Sequence, residues 1–229
     1  MVGLMARSPS ADLRWQAAYE IEERNRSRGR RRPLGTQLAP LAPLAPHLRR
    51  HLAEYPTRHE ANSEIARLLW QLDHDLDEVL PVLRPALSIS PQSAYDYTRH
   101  PPPAAIRAAA ELGEHAGPLV DLIRVALRNP LAWLRVVAAE ALARLGAADP
   151  DELIPAILPD PERCTQWLWV AAEPALDLLA ELQTVPAAPR LTGWLTTDQR
   201  VQANVDDTVR IDERFQARVR QLLADLNPG

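Results

Sequence analysis

Residues Asn129 to Leu158 read NPLAWLRVVAAEALARLGAADPDELIPAIL and hold two helix patterns with the turn between them. Pro130 suits the start of a helix, where the N–H it lacks would have no intrahelical acceptor. Leu134, Val137, Ala138, Ala141, Leu142 and Leu145 follow at helical spacing, and Gly146 fits the left-handed position just past a helix end. Asp149 then offers an N-cap ahead of Pro150, and Leu153, Ile154, Ile157 and Leu158 supply a second apolar stripe. Two helices this short cannot bury their apolar faces alone, so the unit requires copies of itself on either side. Leu142 is expected to lie buried between such layers.

The copies are visible elsewhere in the chain. Leu13-Arg14-x-x-Ala17-Ala18 repeats Leu134-Arg135-x-x-Ala138-Ala139, and Val170-Ala171-Ala172-Glu173 repeats Val137-Ala138-Ala139-Glu140 at an offset of 33 residues. For the second helix, DEVLPVL at 77–83 matches DELIPAI at 151–157, an offset of 74 that corresponds to two units of about 37 residues each. Between these lies Gly117 to Ile123, preceded by a first helix from Ala104 to Leu112 that Gly113 closes.

These motifs resemble the HEAT repeat, in the short bacterial form associated with lyase-type repeat proteins: an apolar-Arg-x-x-Ala-Ala first helix, a Leu-Gly ending, and a second helix that opens with proline or acidic residues. The resemblance covers most of Pro9 to Leu195 and is strongest from Ala104 to Leu158. It implies an all-α, right-handed α-solenoid of about five HEAT-like helix pairs in a single domain over 1–229. A degenerate repeat would occupy 9–54, clearer repeats 58–195, and a C-terminal cap 207–226. The pairs are Pro9 to Glu54, Arg58 to Ser88, Pro101 to Arg128, Pro130 to Leu158, and Pro161 to Leu195. Prolines at 40, 43 and 46, and Pro174, should kink or shorten the helices that contain them. In the cap, Ile211, Phe215, Val219, Leu222 and Leu226 share one face, and Arg210, Arg214, Arg218 and Gln221 the other.

Composition agrees with a helical chain. Hydrophobic residues make up 46% of the 229, enough for a continuous core, and eight glycines with few β-branched runs leave strands unexpected. The 22 prolines suit many short helices that start or stop at proline. The formal charge of −4 conceals an asymmetry, because Met1 to Arg58 carries 11 arginines against five acidic residues and the remainder is strongly acidic. One cysteine, Cys164, excludes an internal disulfide, and no apolar run reaches the roughly 20 residues of a membrane span, so a cytoplasmic location is expected.

Several residues qualify as candidate sites. Arg26, Arg30, Arg31 and Arg32 lie in an arginine-rich connection at 25–36 that either meets phosphates or an acidic protein surface, or is a solvated loop. The acidic remainder of the chain opposes a duplex lying along the array, which makes nucleic acid an unlikely partner. Tyr95 and Tyr97, with Asp96, Arg99 and His100, give the connection at 88–103 the character of a binding loop on a rigid scaffold, or of an irregular segment tied down by its own tyrosines. Trp133, Trp167, Trp169 and Trp194 are aromatic anchors or core filler. Trp167 and Trp169 stand two apart, so either one is exposed or the segment is not yet helical there. His47 and His51, with Glu54 or His59, have the spacing of a metal pair but also that of a polar helix face. His74 between two aspartates reads as a turn, and Cys164 as a small buried apolar residue.

No phosphate loop, nucleophile elbow or zinc-binding His-Glu motif occurs, so no catalytic residue, metal ligand or cofactor is assigned. The leading expectation is a non-enzymatic scaffold that binds a protein or peptide on a concave face lined by second helices. The competing one is a DNA glycosylase that excises alkylated bases, since some such enzymes use a HEAT-like solenoid. That reading requires a basic concave face.

Overall fold

The computed structural model describes residues 39–89, 100–160, 167–183, 185–196, 201–202 and 208–226. They are helical, apart from one parallel pair of two-residue strands, β1 (Trp167–Leu168) and β2 (Val201–Gln202), that composition alone had not led one to expect. The helices fall into two compact units, one of 1–89 with 101–116 and one of 90–100 with 117–229. The expected third pair, Pro101 to Arg128, contributes one helix to each.

In the first unit, a 3-10 turn over Ala39–Leu44 leads into α1 (Ala45–Glu54), followed by α2 (His59–Asp73), α3 (Leu76–Leu87) and α4 (Pro103–Glu111). The prolines at 40, 43 and 46 account for that opening: Pro43 lies inside the 3-10 turn and Pro46 in the first turn of α1, where a missing N–H is tolerated. Helix α2 packs against α1, α3 and α4. It ends at His74, which adopts the left-handed conformation (φ 54°), donates its N–H to the Trp70 carbonyl at 3.0 Å, and lays its ring 5.0 Å from that of Trp70. Asp75 immediately caps α3, its Oδ1 accepting the N–H groups of Asp77 and Glu78 at 3.0 and 3.3 Å. Glu111 fastens α4 to α2: its carbonyl accepts from Trp70 Nε1 at 3.1 Å, and its carboxylate accepts from Arg67 at 3.3 Å and from Gln71.

The second unit contains α5 (Val120–Ala126), α6 (Ala132–Arg144), α7 (Pro150–Ile157), α8 (Trp169–Leu182), α9 (Ala188–Thr196) and α10 (Thr208–Leu226). Helix α6 packs against α5, α7 and α8, and α10 packs against α8 and α9. Contact on several sides explains why the buried residues of α6 form a broader band than a single stripe. Leu134, Val136, Ala138, Ala139, Ala141 and Leu142 are all buried, Leu142 completely, while Val137, expected inside, is half-buried.

Both ends of α6 are closed as its residues imply. Asn129 Oδ1 accepts the Leu131 N–H at 2.9 Å, so the helix begins two residues after Pro130 rather than at it. Gly146 (φ +60°) follows the last turn, and its N–H donates to Ala143 O at 3.0 Å while that of Ala147 donates to Leu142 O at 2.9 Å, the paired bonds of a Schellman ending. Asp149 occupies the N-cap of α7, but its side chain makes no capping bond.

Not every proline ends a helix. Pro81 and Pro85 lie inside α3, Pro155 inside α7, and Pro174 inside α8, which continues through it from Trp169 to Leu182. Trp194 is core: it is 2% exposed, its Nε1 donates to Pro159 O at 3.0 Å, and its ring meets Phe215 of α10 edge-on at 6.0 Å. Phe215, Val219, Leu222 and Leu226 turn inward from α10, whereas Arg214, Arg218 and Gln221 are exposed, which is the amphipathic form expected of the final helix. Arg214 and Arg218 pair with Glu173 and Asp177 of α8 at 3.5 and 3.1 Å.

Candidate interaction surface

The second helices of the repeat share a burial register. In α3 the inward residues are Val79, Leu83, Ala86 and Leu87, and an offset of 40 carries these onto Leu119, Ile123, Ala126 and Leu127, all buried. Moving back by 35 gives Leu44, Leu48, His51 and Leu52, which are buried or half-buried. This i, i+4, i+7, i+8 set is one face of a helix. It leaves the residue after the second inward position pointing outward, and in α1, α3 and α5 that residue is Arg49, Arg84 and Arg124.

Two of these arginines reach the next second helix in the same way. Arg49 of α1 forms a two-pronged pair with Glu78 of α3, Nε to Oε1 at 2.7 Å and Nη2 to Oε2 at 2.9 Å, and also bonds Asp73. These bonds, the Glu78 one foremost, raise the Arg49 guanidinium above its ordinary pKa, so it stays charged wherever the chain is folded. Arg124 of α5 reaches Glu152 of α7 at 3.0 Å, Asp121 of its own helix at 3.0 Å, and the Ala147 carbonyl at 2.7 Å. Glu78 and Glu152 are 74 residues apart, the two-repeat offset of the sequence, and both sit in the first turn of their helices, where the backbone dipole favours an anion. The acidic opening of the second helix therefore accepts the arginine of the second helix before it. Arg190 bonds in the other direction, donating from α9 to Leu158 O at the end of α7 at 3.0 Å.

The arginine of the first-helix motif has a different task. Arg135 Nε donates to Ala156 O of α7 at 2.7 Å, and Nη1 donates to Asn129 O at 2.9 Å and Pro130 O at 3.2 Å. One planar guanidinium thus binds the chain entering α6 to the last turn of its partner helix.

Of the residues marked from sequence, Arg26, Arg30, Arg31, Arg32, Tyr95, Tyr97, Asp96, Arg99 and Cys164 lie outside the described residues. Trp167 lies in β1 and Trp169 opens α8, so the segment is not yet helical at Trp167; nothing is described of either side chain. Trp133 is half-buried near the start of α6. His100 is buried, its Nδ1 3.1 Å from Asn129 Nδ2, which ties it to the turn ahead of α6. His47 is exposed whereas His51 is buried beside the Tyr55 ring at 4.9 Å, and among the described residues no three His, Cys, Asp or Glu side chains converge as a metal set. Nor is any helix among them long and apolar enough to cross a membrane.

Arg49, Arg84 and Arg124 were not singled out from sequence, and Arg135 was noted only as part of the first-helix motif. A signal was available in the arginine that follows an inward leucine or isoleucine in three second helices, but its significance depends on knowing which helices are neighbours. Comparison with models of known families, with curated proteins and with solved structures produced no match.

Proposed function

We propose that this chain is a HEAT-like scaffold, a right-handed α-solenoid whose second helices form the face that receives another protein or a peptide, and that it acts in the cytoplasm without catalysing a reaction. The observation that supports this reading is the repeated arginine-to-glutamate pairing, Arg49 of α1 with Glu78 of α3 in the first unit and Arg124 of α5 with Glu152 of α7 in the second. Rows of this kind in repeat proteins make extended binding surfaces. Outward residues mix charge with apolar surface in each unit: Pro81 and Arg84 on α3 in the first, and Asp121 and Val125 on α5 with Asp151 and Pro155 on α7 in the second. Val125 is 59% exposed.

The test takes a partner recovered with the full chain and measures its affinity for Val125→Asp and Pro155→Arg variants. Both should weaken binding about tenfold or more if these residues lie under the partner, and unchanged affinity in both would reject the face. Neutralising Arg30, Arg31 and Arg32 together tests whether the arginine-rich connection contributes, and it should flatten the salt dependence of binding if it does. Release of an alkylated base from duplex DNA by the purified chain would replace the scaffold reading with the glycosylase one.

A further inference from the structure

Two histidines close on Trp70 at the end of α2, and all three residues lie in the first unit. Trp70 is buried, whereas His74 and His115 are exposed. The His74 ring is tilted by 52° at 5.0 Å from the indole, and the His115 ring stands nearly edge-on, at 69° and 5.6 Å. Both distances are inside the roughly 6 Å within which a cation is drawn to an indole. Each imidazole also follows a helix. His74 is the C-cap of α2, and His115 sits in the turn after α4, its N–H donating to Leu112 O at 3.2 Å. The end of a helix favours a cation. The surrounding charges act in the same direction. Asp73 and Asp75 flank His74 in the chain, the first turn of α3 adds Asp77 and Glu78, and His115 Nε2 is 3.8 Å from Glu114. The cations nearby are matched, Arg49 of α1 by Asp73 and Glu78, and Arg67 of α2 by Glu64 at 3.0 Å and Glu111 of α4 at 3.3 Å. Arg107 stands one turn ahead of Glu111 on α4.

We infer that His74 and His115 form a proton-operated clamp on Trp70, which tightens the junction between the ends of α2 and α4 as the medium becomes acidic. Histidine is the side chain whose charge changes between about pH 5 and 8. Neutral rings touch the indole by dispersion alone. Charged rings add attraction to its π system, to the carbonyls that end the helices, and to the neighbouring carboxylates. These attractions exist only in the folded chain, so their contribution is present below the histidine range and is lost as pH rises through it. The junction has its own reporter. The Trp70 indole N–H donates to Glu111 O at 3.1 Å, a bond from α2 to α4 that must open before the indole proton exchanges with water.

The test is hydrogen exchange at the Trp70 indole of the full chain, followed by nuclear magnetic resonance, with the signal identified by its loss in Trp70→Phe. After correction for the intrinsic rate, protection should rise about threefold to tenfold between about pH 8 and about pH 6, the range for one or two exposed cation–π contacts. Glutamine is polar and of similar length but gains no proton, so His74→Gln combined with His115→Gln should make the corrected protection independent of pH. Each substitution alone should remove part of the rise, which keeps the test open if the double variant does not fold. A merely structural role for the histidines would lower protection by the same factor at both pH values and leave the rise in place. Protection that stays level or falls when the parent is acidified, or a rise that survives the substitutions undiminished, would overturn the inference.

Discussion

Arg135 should be the costliest polar side chain to remove from α6. Its fork contacts three carbonyls, Ala156 O, Asn129 O and Pro130 O, that belong to two chain segments on either side of the helix. Hydrogen bonds from a charged donor contribute roughly 1.5 to 3 kcal/mol each when the acceptor is shielded. These three do not sum, because the site is half-buried and water can reach part of it after truncation. Arg135→Ala should therefore cost about 2 kcal/mol, a substantial part of a total stability of about 5 to 15 kcal/mol. In a chain of this size that corresponds to a fall in Tm of about 4 to 8 °C. Arg135→Lys sharpens the test, since an ammonium on a flexible stem keeps the charge but cannot reproduce a fork aimed at separate segments, so lysine should recover less than half of the loss. Urea unfolding followed by circular dichroism measures all three proteins. A loss below about 0.5 kcal/mol for alanine, or full recovery with lysine, would refute the claim that the fork joins the two helices of the repeat.

Other perturbations test other parts of the structure. Leu142→Ala should cost roughly 2 to 5 kcal/mol because the side chain is fully buried within α6 and little can collapse around it, and a loss under about 0.5 kcal/mol would contradict its place in the core. A double-mutant cycle on Arg124 and Glu152 should give a coupling of about 0.2 to 1 kcal/mol that shrinks as salt is raised, as both side chains are about two-fifths exposed; zero coupling at low salt would show that the pair does not hold α5 to α7. Gly146→Ala should destabilise by about 1 kcal/mol, because alanine pays for a left-handed conformation that the Schellman ending requires, and this too can be read from urea unfolding.

Much of the helical framework was legible in the sequence because punctuation and periodicity agree there. Gly113 and Gly146 lie at left-handed ends and the α6 stripe centres on a fully buried Leu142, whereas Asp149, expected as a cap, makes no capping bond and Asp75 caps α3 without having been foreseen. Prolines were a weaker guide. Pro81, Pro85 and Pro155 are inside helices, and their tolerance follows from exposure and from how short those helices are, neither of which a residue pattern displays. Val136 and Val137 exchanged places relative to expectation because α6 is covered from several directions and its buried band is wide. The candidate surface was the least legible part. Arg49 and Glu78 are 29 residues apart, and nothing local to either declares the pairing; it emerges once α1 and α3 are known to be neighbours. Aromatic residues drew attention as possible anchors, yet Trp194 proved to be core with its indole N–H spent on Pro159, while the outward arginine row looked like ordinary surface charge.

The central claim is that binding takes place on the second helices, and backbone amide shifts of isotope-labelled full chain, titrated with a partner recovered with it, test it most directly. The account predicts that shifts concentrate on outward residues of the second helices, such as Asp121 and Val125 of α5 and Asp151 of α7. Shifts confined to the first helices α6 and α8 and to α10, with the second helices silent, would contradict it.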